Sequence, residues 1–156
     1  MLGKEHQFTV TTTWTGNRGT GTSSYRAYAR DHEINADGKL ARIPGSSTAS
    51  FRGDAQRYNP EELLIASLSA CHMLWFLHLC AEAGIVVSEY RDDAGGTMEL
   101  NADGSGQFSQ VVLRPAVRLA DSARAPETPA LHERAHHFCF IARSVNFPVQ
   151  CEPAFL

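Results

Sequence analysis

The sequence predicts an α+β fold, on three observations. The stretch from Asn59 to Gly84, NPEELLIASLSACHMLWFLHLCAEAG, reads as one long apolar helix. Short β-prone runs separated by turn chemistry lie on both sides of it. A second, shorter helical pattern follows before a last strand. The order β, β, long helix, β, β, helix, β is neither the strict alternation of a doubly wound sheet nor a helical bundle. At 156 residues, the chain is expected to form a single domain over residues 1–156, with an antiparallel sheet against the central helix.

From Gln7 to Trp14, Phe8, Val10, Thr12 and Trp14 recur at a period of two, the pattern of a half-buried strand. Gly16 to Gly21 reads as a turn, and Ser23 to Ile34 as a second strand with Tyr25, Ala27 and Ala29 on alternate positions. The two are expected to pair as a hairpin. Arg42 to Tyr58, with Pro44, Gly45, Gly53 and a Ser/Thr cluster, reads as an irregular loop that delivers Arg52 and Arg57 to the start of the long helix.

That helix has a complete start signal. Asn59 is placed to accept a backbone N–H as N-cap, Pro60 suits the first helical position, Glu62 stands at the capping-box position and Gly84 supplies the stop. Between them the apolar residues point all round the wheel, so the helix is expected to be buried. Its apolar part is broken by histidines and reads as too short for a membrane span. Beyond it, Ile85 to Tyr90 is a strand, and Gly95 to Leu100 continues or pairs with it before a turn at Asn101 to Gly106. Phe108 to Leu119 is a strand that Pro115 marks as an edge or a bulge. Pro126 to Phe138 has helical spacing and delivers Cys139, and Ser144 to Cys151 closes the chain as a strand.

A net charge of −3 and a pI near 6.1 leave no basic footprint, so nucleic acid and anionic membrane are excluded as expected partners. The first ten residues, MLGKEHQFTV, lack the apolar run of a signal peptide, and a cytoplasmic location is expected. The four cysteines, at 71, 80, 139 and 151, do not read as a structural disulfide framework in such a chain; redox or metal chemistry is the alternative. Cys71 and Cys80 stand nine positions apart on one helix, ~13 Å of rise and about half a turn of rotation, and cannot pair while it persists. Cys139 gives Cys71 a possible partner from a second helix, although spacing alone does not show contact. A reactive Cys71 needs a cation to hold its thiolate, because the helix dipole fades within the first turn; Arg26, Arg30, Arg52 and Arg57 are all available.

Other chemistries use the same residues. His72, His78, His136, His137 and the cysteines are metal-ligand types, but no two of these stand at the paired CxxC or HxxxH spacing of a zinc site, and no metal is expected. His72 reads as a core or rim histidine, and Cys80 and Cys151 as bystanders. Met73, Trp75, Phe76 and Phe138 either wall an apolar pocket or pack in the core. With Cys71 merely packed, the chain would be a carrier or sensor of small apolar molecules. Thiol–disulfide exchange without peroxide would use the same two cysteines but lacks a CxxC motif.

The segment FRGDAQRYNPEELLIASLSACHMLWFLHLCAEAG, with HHFCFIARSVNFPV later in the chain, resembles the OsmC and organic hydroperoxide resistance (Ohr) family, and most closely its OsmC-like branch. The resemblance implies a thiol-dependent peroxidase that reduces organic hydroperoxides to alcohols in oxidative stress defence. It also implies an intertwined α+β homodimer with active sites at the subunit interface. Carried over by motif, Cys71 is the peroxidatic cysteine, Cys139 the resolving cysteine, Glu61 the carboxylate that holds an arginine, and Arg52 that arginine. No bound cofactor is implied; the reductant is an external dithiol, a lipoylated protein being one kind. Glu61 and Cys71 are ten residues apart on one helix, ~15 Å along its axis, so one arginine does not easily reach both within a chain. Two such helices packed antiparallel across a two-fold axis would bring Glu61 of one chain to Cys71 of the other.

Overall fold

The first strand is shorter than its alternation predicts. In a computed structural model describing residues 3–156, β1 spans Thr11–Trp14 and pairs antiparallel with β2, His32–Asn35, setting Trp14 opposite His32. β3, Ile43–Gly45, adds to the other edge of β2. The expected hairpin pairing is present, but Ser23 to Asp31 is not strand. The Asn17 side chain accepts the N–H groups of Gly19 and Gly21, and the Arg30 guanidinium lies 4.2 Å from the rings of both Tyr25 and Tyr28 while donating to both their carbonyls. Such local contacts compete with a strand ladder and win here.

The chain divides into two compact units, one ending at Leu63 and one spanning Leu64–Leu156. The sheet β1-β2-β3 belongs to the first, together with a 3₁₀ turn at Ala49–Phe51. The 42–58 segment is thus more ordered than its turn chemistry suggests.

Helix α1, Pro60–Glu82, begins as the sequence predicts. The Asn59 side chain accepts the Glu62 N–H at 2.8 Å, and the Glu62 carboxylate accepts the Asn59 N–H at 3.2 Å. This is a reciprocal capping box. The helix ends in a Schellman motif: Gly84, at φ 67°, donates to the Ala81 carbonyl, and Ile85 donates to that of Cys80. Asn59→Ala is expected to cost about 1 kcal/mol, read as a lowered urea midpoint with unchanged slope.

Burial of α1 differs from expectation. Leu68, His72, Phe76, Leu79 and Cys80 are buried, a stripe at helical spacing, whereas Leu74 on another face is 63 % exposed. One chain covers one face of the helix. At 23 residues, with a mean hydropathy of 1.8 in its most apolar window, α1 is also long and apolar enough by length and composition to cross a bilayer, contrary to the expectation that it would be too short.

In the second unit, β4 (Val87–Asp92), β7 (Pro115–Leu119) and β9 (Ala154–Phe155) form one sheet, and β5 (Gly95–Leu100), β6 (Gly106–Leu113) and β8 (Val149–Cys151) another. The single antiparallel sheet expected is replaced, among the described residues, by three small sheets, two of them mixed, because β8 and β9 join parallel to β6 and β7. β5 pairs with β6 and not with β4. Pro115 divides the predicted 108–119 strand in two: it has no N–H to donate and opens β7, while Arg114 gives its N–H to the Asp92 carboxylate at 2.6 Å. Helix α2 is Thr128–Phe138, preceded by a 3₁₀ segment at Ser122–Glu127. Phe76, Leu79, Cys80 and Ile85 pack with Val117, Leu131 and Ala135; Leu68 packs with Phe108, Val111 and Leu113.

Candidate functional site

Cys71 lies mid-way along α1, and Cys139 is the residue at which α2 stops. Both are free thiols, Cys71 half-buried and Cys139 buried. The Cys139 sulfur accepts the Ala142 N–H at 3.4 Å as the chain turns away from the helix end. Burial pushes the Cys139 thiol up to about 11, and the neighbouring Cys71 adds to the rise. The second unit therefore brings together the two cysteines that sequence spacing could not connect.

Aromatic rings stand beside this pair. Trp75 stacks on Phe138 at 5.1 Å and meets Phe140 edge-on at 5.8 Å. Leu74, Trp75 and His78 line an open hollow of about 290 Å³. Phe76, one of the residues considered for such a wall, is wholly buried and belongs to the core.

The other two candidates belong to the first unit. Glu61 is in the opening turn of α1, and its Oε2 is buried with no hydrogen-bond partner among the described residues. Arg52 is exposed at the end of the 3₁₀ turn, with φ 65°. Arg57 is half-buried, its Nε 3.8 Å from the carboxylates of both Asp31 and Asp54 and its Nη1 buried without a partner among the described residues. Buried Ser46 ties this loop together, donating to Asp31 at 3.1 Å and accepting the Asp54 N–H at 3.0 Å. A Cβ on Gly53 would lie 1.6 Å from the Ser47 carbonyl oxygen. Gly53→Ala is therefore expected to force the 46–58 loop apart and to destabilise by about 1–3 kcal/mol, read as a lowered Tm.

Sequence reasoning passed over one cluster. His72 on α1, His132 on α2 and Cys151 on β8 converge in the second unit, with His72 Nε2 3.0 Å from His132 Nδ1, one donating to the other. The Cys151 sulfur lies 3.6 Å and 3.9 Å from these same nitrogens. The two imidazoles are 1 % and 3 % exposed. Burial holds His72 down at about 4, with Asp92 opposing and His136 adding, and holds His132 down at about 4, with His72 adding. Burial, then Asp92 and Glu152, push the Cys151 thiol up to about 12. The sequence did hold an overlooked signal: His132, Glu133 and His136 stand at the HExxH spacing on α2.

The fold and the thiol pair define a class: an α+β protein that sets two free cysteines from two helices against each other. The model of the OsmC-like protein family matches residues 53–153, and the chain belongs to that family. It is similar to an OsmC-like protein of unknown function from Vibrio cholerae, at 30% identity over 96% of this chain and 99% of that one, with a TM-score of 0.86. It shares its fold with an organic hydroperoxide resistance protein from Elizabethkingia anophelis (19% identity, 98% and 100% covered, TM-score 0.68). The same holds for one from Bacillus subtilis (20% identity, 96% and 98% covered, TM-score 0.61). Comparison with curated proteins finds no match.

Proposed function

We propose that this protein is a cysteine peroxidase that reduces organic hydroperoxides to alcohols in defence against oxidative stress, acting in the cytoplasm. The observation that carries the reading is the pair of free thiols in the second unit, half-buried Cys71 on α1 and buried Cys139 at the end of α2, near enough for Cys71 to raise the Cys139 thiol. The Cys71 thiolate attacks the distal peroxide oxygen; the O–O bond breaks, the alkoxide leaves and takes a proton as alcohol, and Cys71 becomes a sulfenic acid. The Cys139 sulfur then displaces hydroxide from it, water leaves and a Cys71–Cys139 disulfide forms. An external dithiol, of lipoyl type, reduces the disulfide by exchange and is itself oxidised.

A thiolate on α1 needs a fixed cation, and Glu61 is the carboxylate that orients it. Its buried, unpartnered Oε2 supports that role, because such an oxygen is costly unless a donor reaches it. Arg52 is the arginine so held. Ten residues of helix separate Glu61 from Cys71, so the site is completed in a homodimer; the exposed apolar face of α1 at Ala66, Ala70 and Leu74 supports such an arrangement. Sedimentation velocity at micromolar concentration checks it, a monomer counting against.

The deciding assay follows loss of cumene hydroperoxide, with hydrogen peroxide as the comparison, in the presence of dihydrolipoamide. Wild type is expected to turn over the organic peroxide preferentially, Cys71→Ser to be inactive, and Cys139→Ser to be inactivated by overoxidation. Arg52→Ala and Arg57→Ala, assayed side by side, identify the activating cation. An inert wild type with Cys71 resistant to alkylation would instead make the protein a binder of small apolar molecules.

A further inference from the structure

The geometry points to a metal site formed by His72 Nε2, His132 Nδ1 and the Cys151 thiolate, suited to Zn²⁺ and separate from the sulfurs of Cys71 and Cys139. Three ligand atoms of the right chemistry lie within 4.8 Å of one another. Tetrahedral zinc with bonds of about 2.0 Å to nitrogen and about 2.3 Å to sulfur sets nitrogens ~3.3 Å apart and nitrogen and sulfur ~3.6 Å apart. The observed separations are 3.0 Å between nitrogens and 3.6 and 3.9 Å from nitrogen to sulfur. Shifts of a few tenths of an ångström complete the triangle.

Packing satisfies the two facing nitrogens with a single hydrogen bond and leaves other polar atoms of the cluster unpaired. His72 Nδ1, His132 Nε2 and Tyr90 Oη are all buried without hydrogen-bond partners among the described residues. Tyr90 is close enough for Asp92 and Cys151 to raise its hydroxyl further beyond the effect of burial. Buried polar groups are normally paired, and a core of this size has apolar residues to use instead. A bound cation would not pair those outward atoms; what it accounts for is two imidazoles and a thiol turned toward one another in the core, because it uses the facing nitrogens and the sulfur as ligands. The imidazoles are already in the neutral form that coordinates; binding replaces the S–H bond of Cys151 by a metal–sulfur bond and releases that proton to solvent.

Two histidines and one cysteine leave a position for a fourth ligand, the pattern of zinc sites that bind water or substrate. His132 and Cys151 also line a cavity of about 350 Å³ whose wall includes Glu133 and His136. A water molecule or either of those side chains can supply the fourth ligand from there. Oxygen-only sites for magnesium or calcium do not fit imidazole and thiolate donors.

The test uses the reduced, chelator-treated full chain carrying Cys71→Ser and Cys139→Ser, so that the redox pair cannot bind metal. Titration with Co²⁺ without air is expected to give the visible bands of tetrahedral cobalt and a thiolate-to-cobalt charge-transfer band, saturating at one ion per chain. Zn²⁺ should displace the cobalt one for one. Adding Cys151→Ser should abolish the charge-transfer band, and His132→Gln should weaken Zn²⁺ binding at least as much as the roughly 10- to 100-fold that outer-shell changes cost. Far-UV circular dichroism confirms folding of each variant, and the unmodified chain serves as reference. Absence of the bands in the folded parent would overturn the proposal. So would bands that survive Cys151→Ser, or Zn²⁺ affinity unchanged by His132→Gln.

Discussion

Phe76→Ala is expected to lower the unfolding free energy by about 3–5 kcal/mol, the range for removing a fully buried aromatic ring. Phe76 is wholly buried and packs with Leu79, Val117, Leu131 and Ala135, so its removal leaves a cavity where α1, α2 and β7 meet. Its ring also stacks on His132 at 3.9 Å and lies 6.0 Å from Tyr90. The cavity would therefore open beside two of the unpaired buried polar atoms and allow them hydration. Two measurements check this: the urea midpoint near neutral pH, and the acid limb of stability, which should be shallower in the variant because a hydrated His132 protonates more readily. A loss below about 1 kcal/mol would mean that the site collapses around the missing ring.

The protein is expected to lose at least about 3 kcal/mol of stability as the pH falls from about 6.5 to about 4. Both buried histidines titrate near 4 when folded, below the ordinary 6.5. In that window the unfolded chain binds more protons than the folded one, so stability is fully present above about 6.5 and declines as acid is added, levelling below about 4. A displacement of this size in one histidine corresponds to about 3 kcal/mol. The two effects add, because repulsion between the protonated rings further delays proton uptake by the folded chain. Asp92 opposes the shift of His72 and His136 reinforces it. Urea midpoints across the range check the prediction, and His132→Gln should flatten the curve. A flat profile in the parent would show that the imidazoles are hydrated in solution.

The legible parts of the fold were those made by contacts between near neighbours in sequence. Asn59 and Glu62 cap α1 across three residues, and Gly84 ends it, so the span from 60 to 82 followed from local hydrogen bonding alone. The β1–β2 pairing also followed from the turn chemistry between two β-prone runs, although neither strand has the alternating buried face the sequence suggested. The 17–31 connection did not: arginine over tyrosine and asparagine to glycine N–H bonds outweighed a weak alternation that no partner strand completed. Nor did the parallel edges made by β8 and β9, since a period of two says which face a strand buries but not which neighbour it joins.

The same division holds for the chemistry. By residue type and family pattern the sequence singled out Cys71, Cys139, Glu61 and Arg52, while the meeting of Cys71 with Cys139 required α1 and α2 to pack. It could not show His72, His132 and Cys151 as a group, because their ligand atoms come from three elements separated by 60 and 19 residues, with no spacing motif to mark them. By itself the sequence determined the α+β class and the capped central helix that carries Cys71, since these rest on periodicity and bonds spanning a few residues. The pairing of the strands, the contact between the two thiols and the buried His–His–Cys cluster were decided only by tertiary structure, where packing brings distant side chains together.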